Sequence, residues 1–262
     1  MTTLLVDLGN TRIKWAKLGA AGPGRMRTAE HRGWTRADFE RALFGGRRSA
    51  LRRGAAAVDV IAVSVAAAAV QRRFVAAVRA VTGRPPRLCG SQRVACGVRN
   101  GYADVWRLGA DRWIALLGAR QTAPRRAVCV VDVGTATTID LLAADGRHRG
   151  GAILPGPQLM IATLLRDTGG IRRRARGRTA TRDVFARDTG AALHAGALLA
   201  TVGAIEQAWL AACRRTIGTR PVLLLTGGAS GDVARRLRPA HQRVPDLVLR
   251  GLAALARRAP GA

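Results

Sequence analysis

The sequence predicts an α/β protein built from two related halves. Apolar residues 3–6 lead through a tight turn into a second strand pattern, and apolar residues 127–131 lead through a similar turn into another. Asp132 repeats the position of Asp7 after 125 residues, nearly half of the 262-residue chain. An internal duplication explains this recurrence more simply than two chance matches. Each half is therefore expected to open with a strand, a turn and a strand.

The first half, expected at residues 1–118, alternates strand and helix signals after its opening hairpin. Thr35 with Asp38 three residues later is typical of a capping box, with Asp in place of the usual Glu. A Gly-Arg-Pro-Pro break ends the second helix. The elements predicted here are a helix over 35–44, a strand over 58–65, a helix over 69–80 and a helix over Trp113–Gln121.

The second half, expected at residues 119–262, contains long helical patterns. Residues 191–213 are long enough to span a bilayer, but His194 and Glu206 interrupt them, so we interpret them as a core helix. A buried strand is predicted over Val222–Leu225, followed by a helix. Roughly the last fifteen residues also show a helical pattern, with a frayed Pro-Gly-Ala end.

Arginine dominates the charge of the chain. Lys and Arg number 44 against 16 Asp and Glu, which gives a net charge of +28, and only Lys14 and Lys17 are lysines. A basic surface attracts phosphates and nucleic acids, which favours an anionic partner. A genome rich in arginine codons gives the same balance without any function, and this is the simpler explanation.

The cysteines and the N-terminus point to a reducing cytoplasm and away from structural zinc. The four cysteines form no CxxC pair and no zinc spacing with the histidines. Cys129 and Cys213 lie in apolar runs and are expected to be small buried side chains. The N-terminal residues have no basic region followed by a long apolar stretch, so no signal peptide is predicted.

Two predicted turns and one later glycine pair are suited to holding phosphates. Gly9 and Gly134 let backbone N–H groups approach phosphate oxygens, and neighbouring hydroxyls add donors. Thr226-Gly227-Gly228 stands where a strand gives way to a helix and leaves room for a flat ligand group. The chain has neither GxxxxGK[ST] nor GxGxxG between a strand and a helix. Turn geometry explains either glycine alone, but the three sites together favour nucleotide binding.

Three aspartates and one lysine are candidates for phosphate chemistry. Asp7 and Asp132 end apolar strands, where a carboxylate is costly to bury unless it is paired, bound to a cation or accepting turn N–H groups. Lys14 offers a point charge for a phosphate. Asp111 begins a helical pattern and is first of all an expected N-cap. The adjacent Arg112 supports a second interpretation, in which Asp111 deprotonates a hydroxyl while the guanidinium holds an anion.

Five segments resemble, in order and spacing, the motifs of type III pantothenate kinases. They are Asp7-Leu-Gly-Asn-Thr-Arg-Ile-Lys14, Leu108-Gly-Ala-Asp-Arg112, Asp132-Val-Gly-Thr-Ala-Thr137, Gly150-Gly-Ala-Ile-Leu-Pro-Gly156 and Leu225-Thr-Gly-Gly228. The resemblance covers essentially the whole chain. It implies two ribonuclease-H-like halves with a nucleotide cleft between them, the actin-like ATPase fold. It also implies ATP-dependent phosphorylation of pantothenate to 4′-phosphopantothenate, the first step of coenzyme A biosynthesis.

The same resemblance implies roles for individual residues. Asp111 is the catalytic base, and Asp132 holds the monovalent cation, potassium or ammonium, that the family needs, while magnesium accompanies ATP. The residues implied in ATP binding are Asp7, Leu8, Gly9, Asn10, Thr11, Arg12, Ile13, Lys14 and Thr135. Those implied in pantothenate binding are Tyr102, Gly109, Ala110, Asp111, Arg112 and Thr189. Homodimerisation is usual in the family, and the apolar residues 191–213 are the candidate interface, with packing inside one subunit as the alternative.

Two residues depart from the family pattern. Val105 stands three residues after Tyr102, where the family has proline, and this puts the shape of the pocket-lining loop in question. Asp188 precedes Thr189, where the family has Asn, and adds negative charge near the substrate carboxylate unless it points away or pairs with an arginine. The basic segment Arg172–Arg178 is not required by the kinase interpretation.

Two other functions compete with the kinase. Some members of the family were first described as accessory factors for transcription of virulence genes, and the charge of +28 fits nucleic-acid binding, whose affinity falls steeply with salt. A metal-dependent nuclease needs carboxylates clustered around two metals, and glycine turns play no part in that chemistry. The kinase is the leading hypothesis, with a cytoplasmic location, no membrane and only non-specific contact with nucleic acid.

Overall fold

The chain divides into two compact units whose boundary differs from the expected one. The computed structural model describes residues 2–46, 49–175, 183–216 and 220–258. The first unit comprises Met1–Pro124 with Asp246–Ala262, and the second comprises Arg125–Pro245. The boundary expected after residue 118 falls inside a helix, and the end of the chain belongs to the first unit. Arg176, Arg178 and the Pro-Gly-Ala end lie outside the described residues.

The first unit is built on a mixed β-sheet. Its strands are β1 (Thr2–Leu8), β2 (Arg12–Gly19), β3 (Gly22–Pro23), β4 (Arg27–Glu30), β5 (Val58–Ser64), β6 (Arg87–Leu88), β7 (Val94–Ala95) and β8 (Val98–Arg99). Its helices are α1 (Arg36–Phe44), α2 (Ala50–Arg53), α3 (Ala68–Thr82), α4 (Ala110–Thr122) and, from the end of the chain, α9 (Leu247–Ala256). Single 3₁₀ turns lie at Ala55–Ala57 and Val105–Arg107. The sheet order is β3-β2-β1-β5-β6, with β4 beside β2, and β7 pairs with β8.

The predicted opening hairpin is confirmed. β1 and β2 are antiparallel, and β5 runs parallel to β1, as expected for a strand reached through a crossover helix. Alternate residues Leu4, Val6 and Leu8 of β1 are fully buried. They share a hydrophobic core with Phe39 of α1 and Phe74 of α3, so the two helices cover this face of the sheet.

The capping box that begins α1 is also confirmed. The Thr35 hydroxyl accepts a hydrogen bond from the Asp38 amide, and the Asp38 carboxylate accepts one from the Thr35 amide at 2.9 Å. The Thr35 amide and hydroxyl stabilise the charged carboxylate, which lowers the pKa of Asp38. The two residues therefore fix where the helix starts, as the sequence predicts.

Helices α4 and α9 approach each other through a pair of glycines. A Cβ on Gly118 of α4 would overlap the Leu247 carbonyl oxygen, and a Cβ on Gly251 of α9 would overlap the Ile114 carbonyl oxygen. Only hydrogen side chains let two helix backbones come this close. This packing fixes α4, whose N-terminal turn carries Asp111 and Arg112.

The second unit repeats the sheet arrangement of the first. Its strands are β9 (Val128–Val133), β10 (Ala136–Leu142), β11 (His148–Pro155), β12 (Val222–Thr226) and β13 (His241–Arg243). Its helices are α5 (Pro157–Asp167), α6 (Gly169–Arg174), α7 (Thr189–Arg215) and α8 (Ser230–Ala234). The order β11-β10-β9-β12-β13 has the same antiparallel and parallel steps as β4-β2-β1-β5-β6. The predicted duplication is therefore confirmed at the level of strand order.

Cysteine burial agrees only in part with expectation. Cys129 of β9 is buried, whereas Cys213 of α7 is half-buried. Burial, reinforced by the nearby Asp140 carboxylate, raises the pKa of Cys129 to about 12. The Cys129 thiol therefore stays protonated at neutral pH and behaves as the small apolar side chain that the sequence predicts.

Helix α7 is the long helix expected over 191–213, but it is less buried than a core helix. It is long and apolar enough to cross a membrane by length and composition, and 28% of its most apolar stretch is buried within the chain. Val202 and Ile205 pack on the sheet of the second unit, whereas Leu199 and Leu210 are exposed. One face of α7 thus belongs to the core and another presents apolar side chains outward.

Candidate active site

The first turn places Asp7 beside Lys14. The two residues are paired across β1 and β2, and the Lys14 ammonium lies 3.8 Å from Asp7 Oδ2. Both side chains are largely buried, and this ion pair compensates the buried carboxylate. The Gly9 amide donates to the Arg12 carbonyl at 3.0 Å, which closes the turn. Asn10, Thr11 and Arg12 are exposed at its tip, where an anion can reach their backbone.

One contact of this turn was missed by the sequence reasoning. His31 directly follows β4, and its Nε2 lies 2.8 Å from the Gly9 carbonyl oxygen. The two residues are 22 positions apart, and no periodic pattern links them. Only the pairing of β4 with β2 brings His31 to the turn, so the contact depends on strand order and not on a local signal.

The N-terminus of α4 carries four of the predicted site residues and contacts a fifth, Tyr102. Gly109 is the N-cap, and no side chain caps the helix, so Asp111 is not the N-cap that its position suggests. Asp111 instead lies in the first turn, where its Oδ1 accepts the Arg112 amide at 2.8 Å. The buried Arg112 guanidinium donates to the Tyr102 hydroxyl at 3.3 Å and lies 5.8 Å from the centre of its ring. The Asp111 carboxylate thus bonds to the backbone of Arg112, whose guanidinium in turn bonds to the Tyr102 phenol, and Ala110 precedes both residues in the helix.

The loop that carries Tyr102 is held by side chains that bond to its backbone. Asn100 Oδ1 accepts the Tyr102 amide at 2.9 Å, and Asn100 Nδ2 donates to the Val105 carbonyl at 3.3 Å. Arg93 donates to the Tyr102 and Ala103 carbonyls at 3.1 and 2.9 Å. Val105, which replaces the family's proline, thus contributes its carbonyl to a bonded loop that ends in a 3₁₀ turn.

The second turn packs against a glycine from elsewhere in its unit, Gly156. The Gly134 amide donates to the Ala136 carbonyl at 3.0 Å, and the Gly156 amide donates to the Thr135 carbonyl at 2.8 Å. A Cβ on Gly156 would overlap the Gly134 carbonyl oxygen, so Gly156 supports the turn directly. Thr135 itself is exposed. The Pro-Gly pair of the fourth motif was the only sequence signal for this support.

Gly227 lies directly against Asp132. Thr226 pairs with Asp132 across the parallel strands β12 and β9, and Gly227 follows with a positive φ of 93°. A Cβ on Gly227 would overlap Asp132 Oδ1 and come within 2.5 Å of the Val133 carbonyl oxygen. The Asp132 carboxylate and the Val133 carbonyl both present oxygen atoms beside Gly227, and hard cations prefer oxygen ligands. In the described ranges, no group of three or more His, Cys, Asp and Glu side chains could hold a metal.

Thr189 and Asp188 lie at the start of α7. Asp188 is the N-cap, and its Oδ1 accepts the Ala191 amide at 2.8 Å. Thr189 is the first helical residue. The extra carboxylate that departs from the family pattern therefore has a local structural role, because it satisfies a free amide of the helix terminus. In the basic segment, Arg172–Arg174 lie in the short helix α6.

Comparison with known proteins decides the family. A model of type III pantothenate kinases matches residues 3–211. The type III pantothenate kinase of Halorhodospira halophila is 41% identical over 256 residues, which cover 95% of each chain. That of Aromatoleum aromaticum is 40% identical over 97% of each chain. The chain belongs to the type III pantothenate kinase family. These names do not favour the transcriptional alternative.

Solved structures similar to this family member have the expected fold. A protein described as a 2-dehydro-3-deoxygalactonokinase from Sinorhizobium meliloti superposes with a TM-score of 0.57 at 17% identity, covering 97% of this chain and 98% of that one. Component A of (R)-2-hydroxyglutaryl-CoA dehydratase from Acidaminococcus fermentans gives 0.50 at 12% identity, covering 97% and 96%. The actin-like ATPase fold, with ribonuclease-H-like halves, is thereby confirmed.

Proposed function

We propose that this chain phosphorylates pantothenate with ATP to give 4′-phosphopantothenate, the first step of coenzyme A biosynthesis. The observation that carries the proposal is the group formed by Asp111, Arg112 and Tyr102 at the start of α4. It combines a base for a hydroxyl with a fixed cation for a carboxylate, and pantothenate has both groups. Membership of the kinase family supports the same conclusion.

In this proposal Asp111 accepts the proton of the pantothenate hydroxyl as its oxygen attacks the γ-phosphorus of ATP, and ADP leaves. Phosphoryl transfer depends on positioning and on charge stabilisation. Arg112 is well suited to positioning because it is buried and tied to Tyr102, so little freedom remains to be lost on binding. Gly109, Ala110 and Thr189 complete the proposed pantothenate contacts.

The ATP site of this proposal uses both glycine turns. Asp7, Leu8, Gly9, Asn10, Thr11, Arg12, Ile13 and Lys14 form the first phosphate-binding segment, and Thr135 adds a contact from the second. The exposed turn tip and the Lys14 ammonium supply donors and positive charge for phosphate oxygens. Magnesium bound with ATP offsets part of the triphosphate charge.

Asp132 is the proposed ligand of a monovalent cation, potassium or ammonium. Because Gly227 has no side chain, Asp132 Oδ1 lies against its backbone with the Val133 carbonyl oxygen close by, and two oxygen atoms of this kind suit this role. Such a cation would add positive charge close to the phosphates. Magnesium alone would not replace it, since magnesium demands a tighter octahedral shell.

A homodimer in the cytoplasm is proposed for the intact enzyme. The outward apolar face of α7, with Leu199 and Leu210, is the proposed contact between subunits. Burial of these side chains in a partner would explain why so little of this apolar helix is covered within one chain.

A coupled assay of ATP consumption tests the proposed reaction. ATP should be consumed only with pantothenate present, and faster with potassium or ammonium than with neither. Asp111→Asn should lower kcat by about a hundredfold or more with an unchanged circular dichroism spectrum, since it removes the base. The control is Asp59→Asn, which removes an exposed carboxylate of the same unit, paired with Arg84 at 2.8 Å. An unchanged rate in Asp111→Asn would remove Asp111 from the role of base.

A further inference from the structure

His31 makes two hydrogen bonds to the tip of the first turn. Its imidazole Nε2 donates to the Gly9 carbonyl at 2.8 Å, and its backbone amide donates to the Thr11 carbonyl at 3.2 Å. The Gly9 carbonyl is an acceptor only, so Nε2 carries the hydrogen. His31 therefore bonds to the turn from the β4 side, once at Gly9, just before the exposed tip, and once at Thr11, within it.

These two bonds set the direction of the peptide planes in the turn. No cis peptide bond occurs among the described residues. In a trans peptide the C=O of one residue and the N–H of the next point in opposite directions. Because the Gly9 carbonyl points towards His31, the Asn10 amide points away from it, on the exposed side of the turn. The Thr11 carbonyl fixes the Arg12 amide in the same manner.

The imidazole is held in place by packing and not by a second polar contact. His31 is 3% exposed, and its ring lies 6.4 Å from that of Trp34 and 6.2 Å from that of Phe39. Its Nδ1 is buried without a hydrogen-bond partner among the residues that the structure describes. A buried imidazole with a hydrogen bond to only one of its two nitrogens requires an explanation. The hydrogen bond from Nε2 to the Gly9 carbonyl is a reason for a histidine at this position.

We propose that His31 is a positioning residue for ATP. Its imidazole fixes the Gly9 peptide so that the Asn10 amide is presented to a phosphate oxygen. A turn that binds phosphate through backbone amides needs these amides aligned before the ligand arrives, because realignment would cost binding energy. The inference rests on the proposed role of Asp7 to Lys14 in ATP binding.

Three substitutions of His31 test the inference. His31→Leu removes the donor, and His31→Asn keeps an amide but places its nitrogen near the position of Nδ1. His31→Gln places an amide nitrogen near the position of Nε2. Leu and Asn should raise the KM for ATP about tenfold and leave the KM for pantothenate unchanged. Gln should stay within about threefold of the unsubstituted enzyme for ATP.

Two further variants make the outcome decisive. Phe74→Leu shortens a fully buried ring that contacts Phe39 in the same core, and it should lower the Tm without changing the KM for ATP. Lys14→Ala should raise the KM for ATP if the turn binds ATP.

The role of His31 is overturned if Lys14→Ala raises this KM while His31→Leu and His31→Asn leave it unchanged. It is also overturned if His31→Gln raises this KM as much as His31→Asn does. If Lys14→Ala has no effect, or pantothenate-dependent ATP consumption is absent altogether, the proposed function fails and the inference fails with it.

Discussion

Gly227 shows how a missing side chain lets a carboxylate lie directly against the backbone. Its backbone has a φ of 93°, a region that side chains disfavour, and it lies where a Cβ would overlap Asp132 Oδ1. The next residue, Gly228, has open space around its Cβ position. Gly228 can therefore accept a side chain, whereas Gly227 cannot, and the sequence alone does not distinguish the two glycines.

The Gly227→Ala variant should weaken activation by the monovalent cation. The added methyl group must displace the Asp132 carboxylate, and a displacement worth about 1.4 kcal/mol of cation binding is a tenfold change. The concentration of potassium or ammonium that gives half-maximal activity is the measurement. Gly228→Ala is the control, because nothing within 4 Å meets its Cβ. Equal activation curves for the two variants would contradict the proposed role of Asp132.

At the residue scale, the sequence predicted side chains better than their contacts. Asp111 and Arg112 were selected because acid and guanidinium are adjacent in the chain, and the structure shows the Arg112 guanidinium bonded to Tyr102. The N-cap expected at Asp111 was wrong, since Gly109 occupies that position. The contact of His31 with Gly9 could not be predicted, because it requires β4 to lie beside β2.

Helices α4 and α9 pack backbone against backbone in the first unit, and this contact holds the helix that carries Asp111. The glycine on each helix faces a carbonyl oxygen of the other, so the backbones touch without intervening side chains. Residues Trp113 to Ala119 of α4 are buried. Any shift of α9 would therefore be transmitted to the rigid backbone that carries Asp111 and Arg112.

Substituting either glycine of this pair should destabilise the protein. In Gly118→Ala or Gly251→Ala, the added methyl group would overlap a carbonyl oxygen of the facing helix. Overpacking of this kind costs about 1–3 kcal/mol of stability. Gly90→Ala, at an exposed position of the same unit, is the control, because its Cβ meets nothing within 4 Å. That change should alter the free energy of unfolding by less than about 0.5 kcal/mol. Urea unfolding measures the change in the free energy of unfolding for each variant. A loss of stability at all three positions would contradict the packing described.

At the element scale, local patterns predicted the secondary structure but not its partners. The hairpins β1–β2 and β9–β10 were predicted because alternation and turn residues are local signals. The partner of α9 could not be predicted in this manner. Its sequence is apolar on most sides, so periodicity does not indicate which face is covered or by what.

At the scale of the whole molecule, the second unit is inserted into the first. Residues 125–245 form one continuous segment, whereas the first unit needs both ends of the chain. The duplication was predictable because the same pattern recurs, but the boundary at 118 was not correct to the residue. The return of the last helix to the first unit leaves no repeat or composition change in the sequence.

A variant truncated after Pro245 should lose the folded structure of the first unit, while the second unit stays folded. Without α9, the glycine-lined face of α4 is exposed, and the apolar surface normally covered there favours unfolding or aggregation. Limited proteolysis with mass spectrometry should find cleavage concentrated in residues 2–124, with residues 125–245 protected. Equal protection of both segments would show that the first unit does not depend on α9.

The nested arrangement also has a consequence for synthesis on the ribosome. The chain emerges from its N-terminus, so Asp7, Lys14 and Asp111 are all made before residue 125, whereas α9, which packs against α4, is made only after residue 246. The inserted segment can fold while translation continues, because all its strands are contiguous. The proposed catalytic carboxylate of Asp111 is therefore present before α9, which supports α4, has been made. A polypeptide whose synthesis stops between Pro245 and α9 carries every proposed reactive group without the support that α9 gives to α4.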